Sequence, residues 1–189
     1  MDTASLSGGF ANAPIDAARA FRAAMTAMAR PGTIVAVEGA AGPAPLSRAA
    51  ATILLTLADA ETPVHLAGSW DAPVIRDWLT FHCAAPLVDA RRAMFALGDW
   101  ASLAPLHRFA IGSPEYPDRS ATLIVEMAAL DAAGARLTGP GIEATAALSL
   151  PEVAAFQANR ALFPLGLDFY FCAGDRLAAL PRTTSVEAV

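Results

Sequence analysis

Thirteen arginines and no lysine stand in this 189-residue chain, so every basic side chain is a guanidinium. A Schiff base, whether to pyridoxal phosphate or to a carbonyl substrate, requires an amine that gives up its proton, and guanidinium, with a pKa above about 12, does not. A phosphate-binding loop of the Walker type loses its lysine as well. These exclusions hold whether the bias reflects chemistry or genome composition. Guanidinium forks grip phosphates and carboxylates, and they anchor protein interfaces. Two arginines suit such work by position: Arg30 and Arg182 each adjoin a proline at the end of an element, and Thr183 and Thr184 add hydroxyls beside the second. One reading of these four residues is an anion or partner contact. The other is a solvated helix end and tail.

The remaining reactive types form no signature. His65, His82 and His107 are scattered, without HExxH, His-x-His or CxxC, so a metal centre would need distant segments to converge. His65 inside a strand and His82 beside an apolar helical stripe read as core histidines with satisfied ring nitrogens, and His107 reads as exposed. Gly68 with Ser69, and Gly112 with Ser113, lack the second glycine of a nucleophile elbow. No GxGxxG follows a strand, and in Gly139, Pro140, Gly141 the proline removes one donor from any phosphate nest, leaving a structural turn as the better reading. Asp59, Glu126 and Asp168 lie far apart, and only folding brings such carboxylates together. No catalytic, cofactor-binding or metal-ligating residue is assigned.

Composition sets the frame for these residues. A length of 189 and 55% hydrophobic content suit one domain spanning 1–189 with a large core. Apolar runs such as 49–55 and 167–171 fall short of the 18 or so residues a membrane span requires. A mean hydropathy of +0.43 with only 16% charged residues leaves little to cover a monomer's surface, so apolar surface is expected to meet a partner. Net charge of -5 and a pI near 5.1 oppose nucleic-acid binding. Met1 and Asp2 begin no export signal, and Cys83 and Cys172 read as buried free thiols, so the cytoplasm is expected.

The elements that must position these side chains are well punctuated. Pro14 and Asp16 open an amphipathic helix with Phe21, Met25 and Met28 on one stripe and Arg19, Arg22, Thr26 and Arg30 on another, closed by Pro31 and Gly32. Residues 33–37 predict a strand. Ser47 caps a second helix that is apolar nearly all round, 62–67 reads as a strand, and Asp71 and Pro73 open a third helix. A covered strand at 94–97 is followed by a turn at Gly98 and Asp99. Residues 121–130 and 136–138 suggest an antiparallel hairpin. Ser149 with Glu152 is a capping-box signature for a helix to about Leu162, which Pro164 stops before a buried strand at 167–172. The alternation predicts an α/β fold, a three-layer helix-sheet-helix sandwich with a mixed sheet.

The order of short motifs resembles the PhnH family, the H subunits of the bacterial carbon-phosphorus lyase system for phosphonate use. It runs from Gly9 and Phe10 through Met28, Ala29, Arg30, Pro31 and Gly32, then Pro45, Leu46 and Ser47, then Leu55, Thr56, Leu57, Asp59, Thr62 and Pro63. Phe81 and His82, Ser120 to Thr122, Gly139 to Ile142, and Phe163, Pro164, Gly166 and Asp168 follow, and the ending Leu180, Pro181, Arg182, Thr183, Thr184 is the most specific. The tail after Thr184 is nondescript.

The resemblance implies a fold similar to pyridoxal-phosphate-dependent transferases but without the cofactor site, which agrees with the missing lysine. It implies a homodimer that joins subunits G, I and J, with no cofactor in this chain, in coupling a phosphonate to ribose 5-triphosphate from ATP with release of adenine. Metal-sulfur chemistry would belong to subunit J. The leading expectation is an assembly subunit without activity of its own. The rivals are a stand-alone transferase or phosphonate hydrolase built on Arg182, Asp168 and His82 or His107, and a ligand-sensing regulatory dimer.

Overall fold

The computed structural model describes residues 6–189; Met1 and Asp2, where the reading for an export signal begins, lie outside the described residues. The chain is α/β and is organised on a six-stranded mixed sheet. Its elements are α1 (Ala13–Ala29), β1 (Val35–Ala36), α2 (Arg48–Leu57), β2 (Val64–Leu66), α3 (Pro73–Cys83), β3 (Phe95–Asp99), α4 (Trp100–Leu103) and β4 (Thr122–Glu126). There follow β5 (Ala135–Thr138), β6 (Ala146–Leu148), α5 (Val153–Arg160), β7 (Asp168–Ala173), β8 (Arg176–Leu180) and β9 (Ser185–Glu187).

The large sheet runs β1-β8-β7-β4-β3-β2, with β2, β3, β4 and β7 parallel and β8 antiparallel to both its neighbours. Side chains alternate across it with the period of two that a pleated strand imposes. Val64, Leu66, Leu97, Ile124, Tyr170, Cys172 and Leu177 enter the core beneath α1, α2 and α3. Ala96, Leu123, Val125, Phe169, Phe171 and Ala178 enter a second core on the other face. That face is covered by α4, α5 and a three-stranded antiparallel sheet ordered β6-β5-β9, so one outer layer is helical and the other part sheet. No helix among the described residues is long and apolar enough to cross a membrane.

Local chemistry explains the helix starts. Pro14 lies in the first turn of α1, and the Ser47 hydroxyl caps α2 by accepting the Ala50 N–H at 3.1 Å. Three expectations are corrected. The segments 121–130 and 136–138 do not pair as a hairpin: Leu123, Ile124 and Val125 are wholly buried, β4 is a central strand with both edges taken by β3 and β7, and β5 pairs instead with β6 and β9. Gly98 and Asp99 continue β3 rather than turning. The capping box does not form, because the Ser149 hydroxyl accepts the Asp131 N–H at 3.0 Å and α5 starts only after Pro151, with Glu152 as its cap.

The first helix inverts the usual arrangement. Its buried residues are Ala20, Ala24 and Ala27, while Phe21 and Met25 are 50% and 54% exposed. Small side chains let α1 sit close against α2, whose Ala49, Ala50 and Ala51 are equally buried. The larger apolar side chains are left facing outward.

Candidate functional site

Arg182 is positioned by strand register. β7 and β8 pair with Phe169 opposite Leu180, so Asp168 at the start of β7 comes beside the residues that follow β8. Its side chain is 23% exposed and that of Arg182 12%. Arg182 donates from its backbone N–H to Asp168 Oδ1 at 2.8 Å and from Nη2 to Oδ2 at 2.5 Å, and Nε reaches Oδ1 at 3.2 Å. Nη1 donates to the Pro117 carbonyl at 2.7 Å, and Nη2 also donates to the Ser120 hydroxyl. Each guanidinium nitrogen is thus engaged by the chain itself. A fork buried this far with its counter-charge fixes geometry, since removing either member strands the other in poor solvent. His82 and His107 do not join this pair: His82 packs on Trp78 and Phe81, and His107 lines a separate groove.

The neighbouring threonines serve the same turn. Thr184 donates its N–H to the Pro181 carbonyl at 3.0 Å and is buried, and Thr183 is partly buried. The Gly139, Pro140, Gly141 turn packs between this tail and the end of α1. Gly139 has φ +131° and a Cβ there would sit 3.2 Å from the Thr183 carbonyl oxygen, while at Gly141 it would strike the Ala29 carbonyl. Three separated motifs, at 28–32, 139–142 and 180–184, therefore meet as one structural corner. Arg30 ends α1 with its N–H on the Thr26 carbonyl at 3.0 Å, and its guanidinium is exposed. Among the described residues no hydrogen bond or ion pair holds that guanidinium. Arg30 and Arg182 do not share a partner.

His65 behaves as a structural histidine. Its Nε2 faces the Arg108 guanidinium at 3.1 Å and therefore accepts, which leaves Nδ1 to donate to the Val88 carbonyl at 3.0 Å.

The group that the sequence did not reveal lies at the carboxyl ends of the parallel strands, where open α/β sheets form their crevices. Parallel register sets Asp99 of β3 directly beside Glu126 of β4. Together with Pro45, Ser47, Trp70 and Gly174 they line a cleft of about 400 Å³. Glu126 Oε1 accepts the Ser47 N–H at 2.8 Å, tying the start of α2 to the end of β4. Burial pushes the Glu126 carboxyl above its ordinary value, and the bond from Ser47 only partly offsets it. Asp99 Oδ1 caps α4 by accepting the Ser102 N–H at 2.8 Å. The two carboxylates are thus bound into helix starts. Twenty-seven residues separate them in sequence, and no local motif signals a parallel pairing.

A third feature is an apolar groove of about 490 Å³ between residues 104–111 and α5, floored by Trp100 and Leu167 and edged by Leu162. The Trp100 indole donates to Glu152 Oε2 at 3.0 Å at its mouth. Cys83 and Cys172 are free, and burial raises both thiols, Cys83 to about 11, so neither is an activated nucleophile. Among the described residues no group of three or more His, Cys, Asp or Glu side chains is placed to hold a metal ion.

The chain was compared with known proteins. Residues 8–187 match the family described as bacterial phosphonate metabolism protein PhnH. A protein of Rhizobium meliloti strain 1021, named alpha-D-ribose 1-methylphosphonate 5-triphosphate synthase subunit PhnH, is 40% identical over 192 residues, which covers 96% of this chain and 95% of that one. A putative C-P lyase subunit protein, HtxG of Stutzerimonas stutzeri, is 30% identical over 199 residues and 95% of each chain. The chain belongs to the PhnH family of bacterial phosphonate metabolism proteins.

Proposed function

We propose that this chain is an accessory subunit of the carbon-phosphorus lyase core assembly, supporting transfer of a phosphonate onto the ribose 5-triphosphate of ATP with release of adenine while the chemistry takes place in its neighbours. The observation that carries this reading is the end-to-end likeness to a relative whose name is that of a synthase subunit. The geometry supports it. The tail motif at 180–184 and the turn at 139–141 are consumed in building a corner of the fold, the two histidines of the rival site stand apart from Arg182 and Asp168, and Asp99 and Glu126 serve helix starts. Arg182, Thr183 and Thr184 in this reading hold the tail, and Arg30 is left for a partner.

The finer parts of the proposal are a homodimer of one 189-residue domain that joins subunits G, I and J in the cytoplasm, carries no cofactor, and has the architecture of a pyridoxal-phosphate-dependent transferase without that site. Phe21, Met25, Phe81 and Phe163, all about half exposed, are the apolar surface that assembly would cover. Co-expression with subunits G, I and J followed by affinity capture of this chain tests the reading: recovery of the other subunits is expected. The purified chain alone, given ATP, magnesium and methylphosphonate, is expected to be silent. Turnover by the solitary chain would establish the transferase alternative instead.

A further inference from the structure

We infer that the apolar groove beside α5 is a docking seat for an amphipathic helix of a different subunit, one that lays large apolar side chains along the trough and sets a lysine or arginine against Glu152. This rests on the accessory role proposed above and adds the surface and the chemistry of its occupant. Side-chain size makes the groove. On its α5 wall Ala155 and Ala158 stand three residues apart and Leu162 follows, so one stripe faces the trough with little bulk until its far end. Leu106 and Ile111 line the other wall. Leu162 is 45% exposed and Phe163, the next residue, 49%. A trough of about 490 Å³ lined in this way and open at the surface is space that a partner's apolar side chains would fill.

Shape, charge and symmetry select that occupant. The positions 155, 158 and 162 repeat at the interval with which one helix interlocks with another. An added strand finds less to hold, because Ile111 already bridges Ser120 and its carbonyl accepts the Gly166 N–H at 3.1 Å. Glu152 is the carboxylate on the lining. Its Oε2 accepts the Trp100 indole N–H at 3.0 Å, and among the described residues no arginine or histidine pairs with it. A carboxylate at the lip of an apolar trough, without a counter-charge of its own, is matched by a cation placed beside apolar anchors. A second copy of this chain is the poorer fit. A concave trough cannot pair with itself, and any other face of a copy seated there makes a head-to-tail contact that repeats from chain to chain. A different subunit ends the series after one contact.

The test is recovery of subunits G, I and J by affinity capture of the full chain from co-expressing cells, with wild type beside Ala158→Arg and Glu152→Gln. Ala158 is exposed on a helix that accepts arginine, so Ala158→Arg fills the trough without disturbing a core, and an unchanged thermal midpoint reports that it folds. Recovery of at least one subunit is expected to fall about thirtyfold, the effect of blocking the centre of an interface. Glu152→Gln keeps an acceptor for the Trp100 indole and removes the charge. It is expected to recover about fivefold less than wild type at low salt and to match it at high salt. Photo-cross-linking from benzoylphenylalanine placed at position 158 of the assembled chain identifies the occupant. The expected adduct lies on another subunit, in a segment with helical apolar spacing and a lysine or arginine within two turns. Ala158→Arg that captures like wild type overturns the inference and leaves the accessory reading standing. So does Glu152→Gln that matches wild type at low salt, an absent adduct, or an adduct on a second copy or on a segment without that pattern. A wild-type chain that recovers no subunit removes the accessory reading and this seat with it.

Discussion

Beneath α1 and α2 the six-stranded sheet meets helices through Ala24, Ala27, Ala49, Ala50 and Ala51, whereas on its other face Phe156, Phe169 and Phe171 pack with ring centroids 5.0 to 6.1 Å apart under α5 and the small sheet. The first arrangement works by closeness: small side chains bring backbones together, and there is no room to add atoms. The second works by bulk, each ring spanning a gap that no backbone fills. The contrast teaches that an apolar residue's size does not say which way it points. Where α1 meets α2 the inner space is closed by alanines, and the large residues Phe21 and Met25 of α1 are left outward, while Trp78 of α3 fills the same core further along.

The sharpest way to break the comparison is on the aromatic face. Phe169→Ala removes a wholly buried ring from the centre of that stack, and a loss of about 4 kcal/mol in chemical denaturation is expected. Next is the fork that fastens the tail over the same face: Arg182→Met leaves Asp168 partly buried without its counter-charge, with an expected cost of about 3 kcal/mol. Phe81→Ser, at an exposed ring outside both cores, serves as the neutral reference and should shift stability by no more than about 0.5 kcal/mol. The alanine face should respond to addition rather than deletion. Ala24→Leu is expected to destabilise by about 2 kcal/mol by prising α1 from its neighbours, and a neutral result would mean that this face has slack.

The smallest effect is one of pH. Burial raises the Glu126 carboxyl, so the folded chain holds that proton to higher pH than the unfolded chain does. Stability therefore falls as pH rises from the ordinary carboxylate range through the raised folded value, and the penalty is complete above it. Glu126→Gln keeps an acceptor for the Ser47 N–H and carries no charge. Its stability relative to wild type should grow with pH across that window and then level off, as thermal melts at a series of pH values would show.

Legibility in the sequence followed the range of the physics involved. Pro14 and Ser47 announced their helices because capping is settled within four residues. Buried strands at 122–126 and 168–173 were visible as apolar runs, but a run does not name its neighbours, so the parallel pairing of β4 was misread as a hairpin. Ser149 and Glu152 had the right spacing for a box, yet Pro151 and a remote turn at Asp131 claimed the hydroxyl. Asp99 beside Glu126 was invisible for the same reason as β4: register between parallel strands depends on the crossover, not on the residues at their ends. The tail motif was legible as a signature without its purpose, which needed Asp168, Ser120 and Pro117 to be seen around Arg182.

The placement of β8 has a consequence for how this molecule is made. β1, at residues 35–36, finds its strand partner among the described residues in β8, about 140 residues further along the chain. Until β8 is in place, β7 presents a bare edge and the helices have only part of a sheet to rest on. The sheet therefore depends on a pairing that spans most of the chain, and loss of residues 176–180 would leave the β7 edge bare and β1 without its place in the sheet.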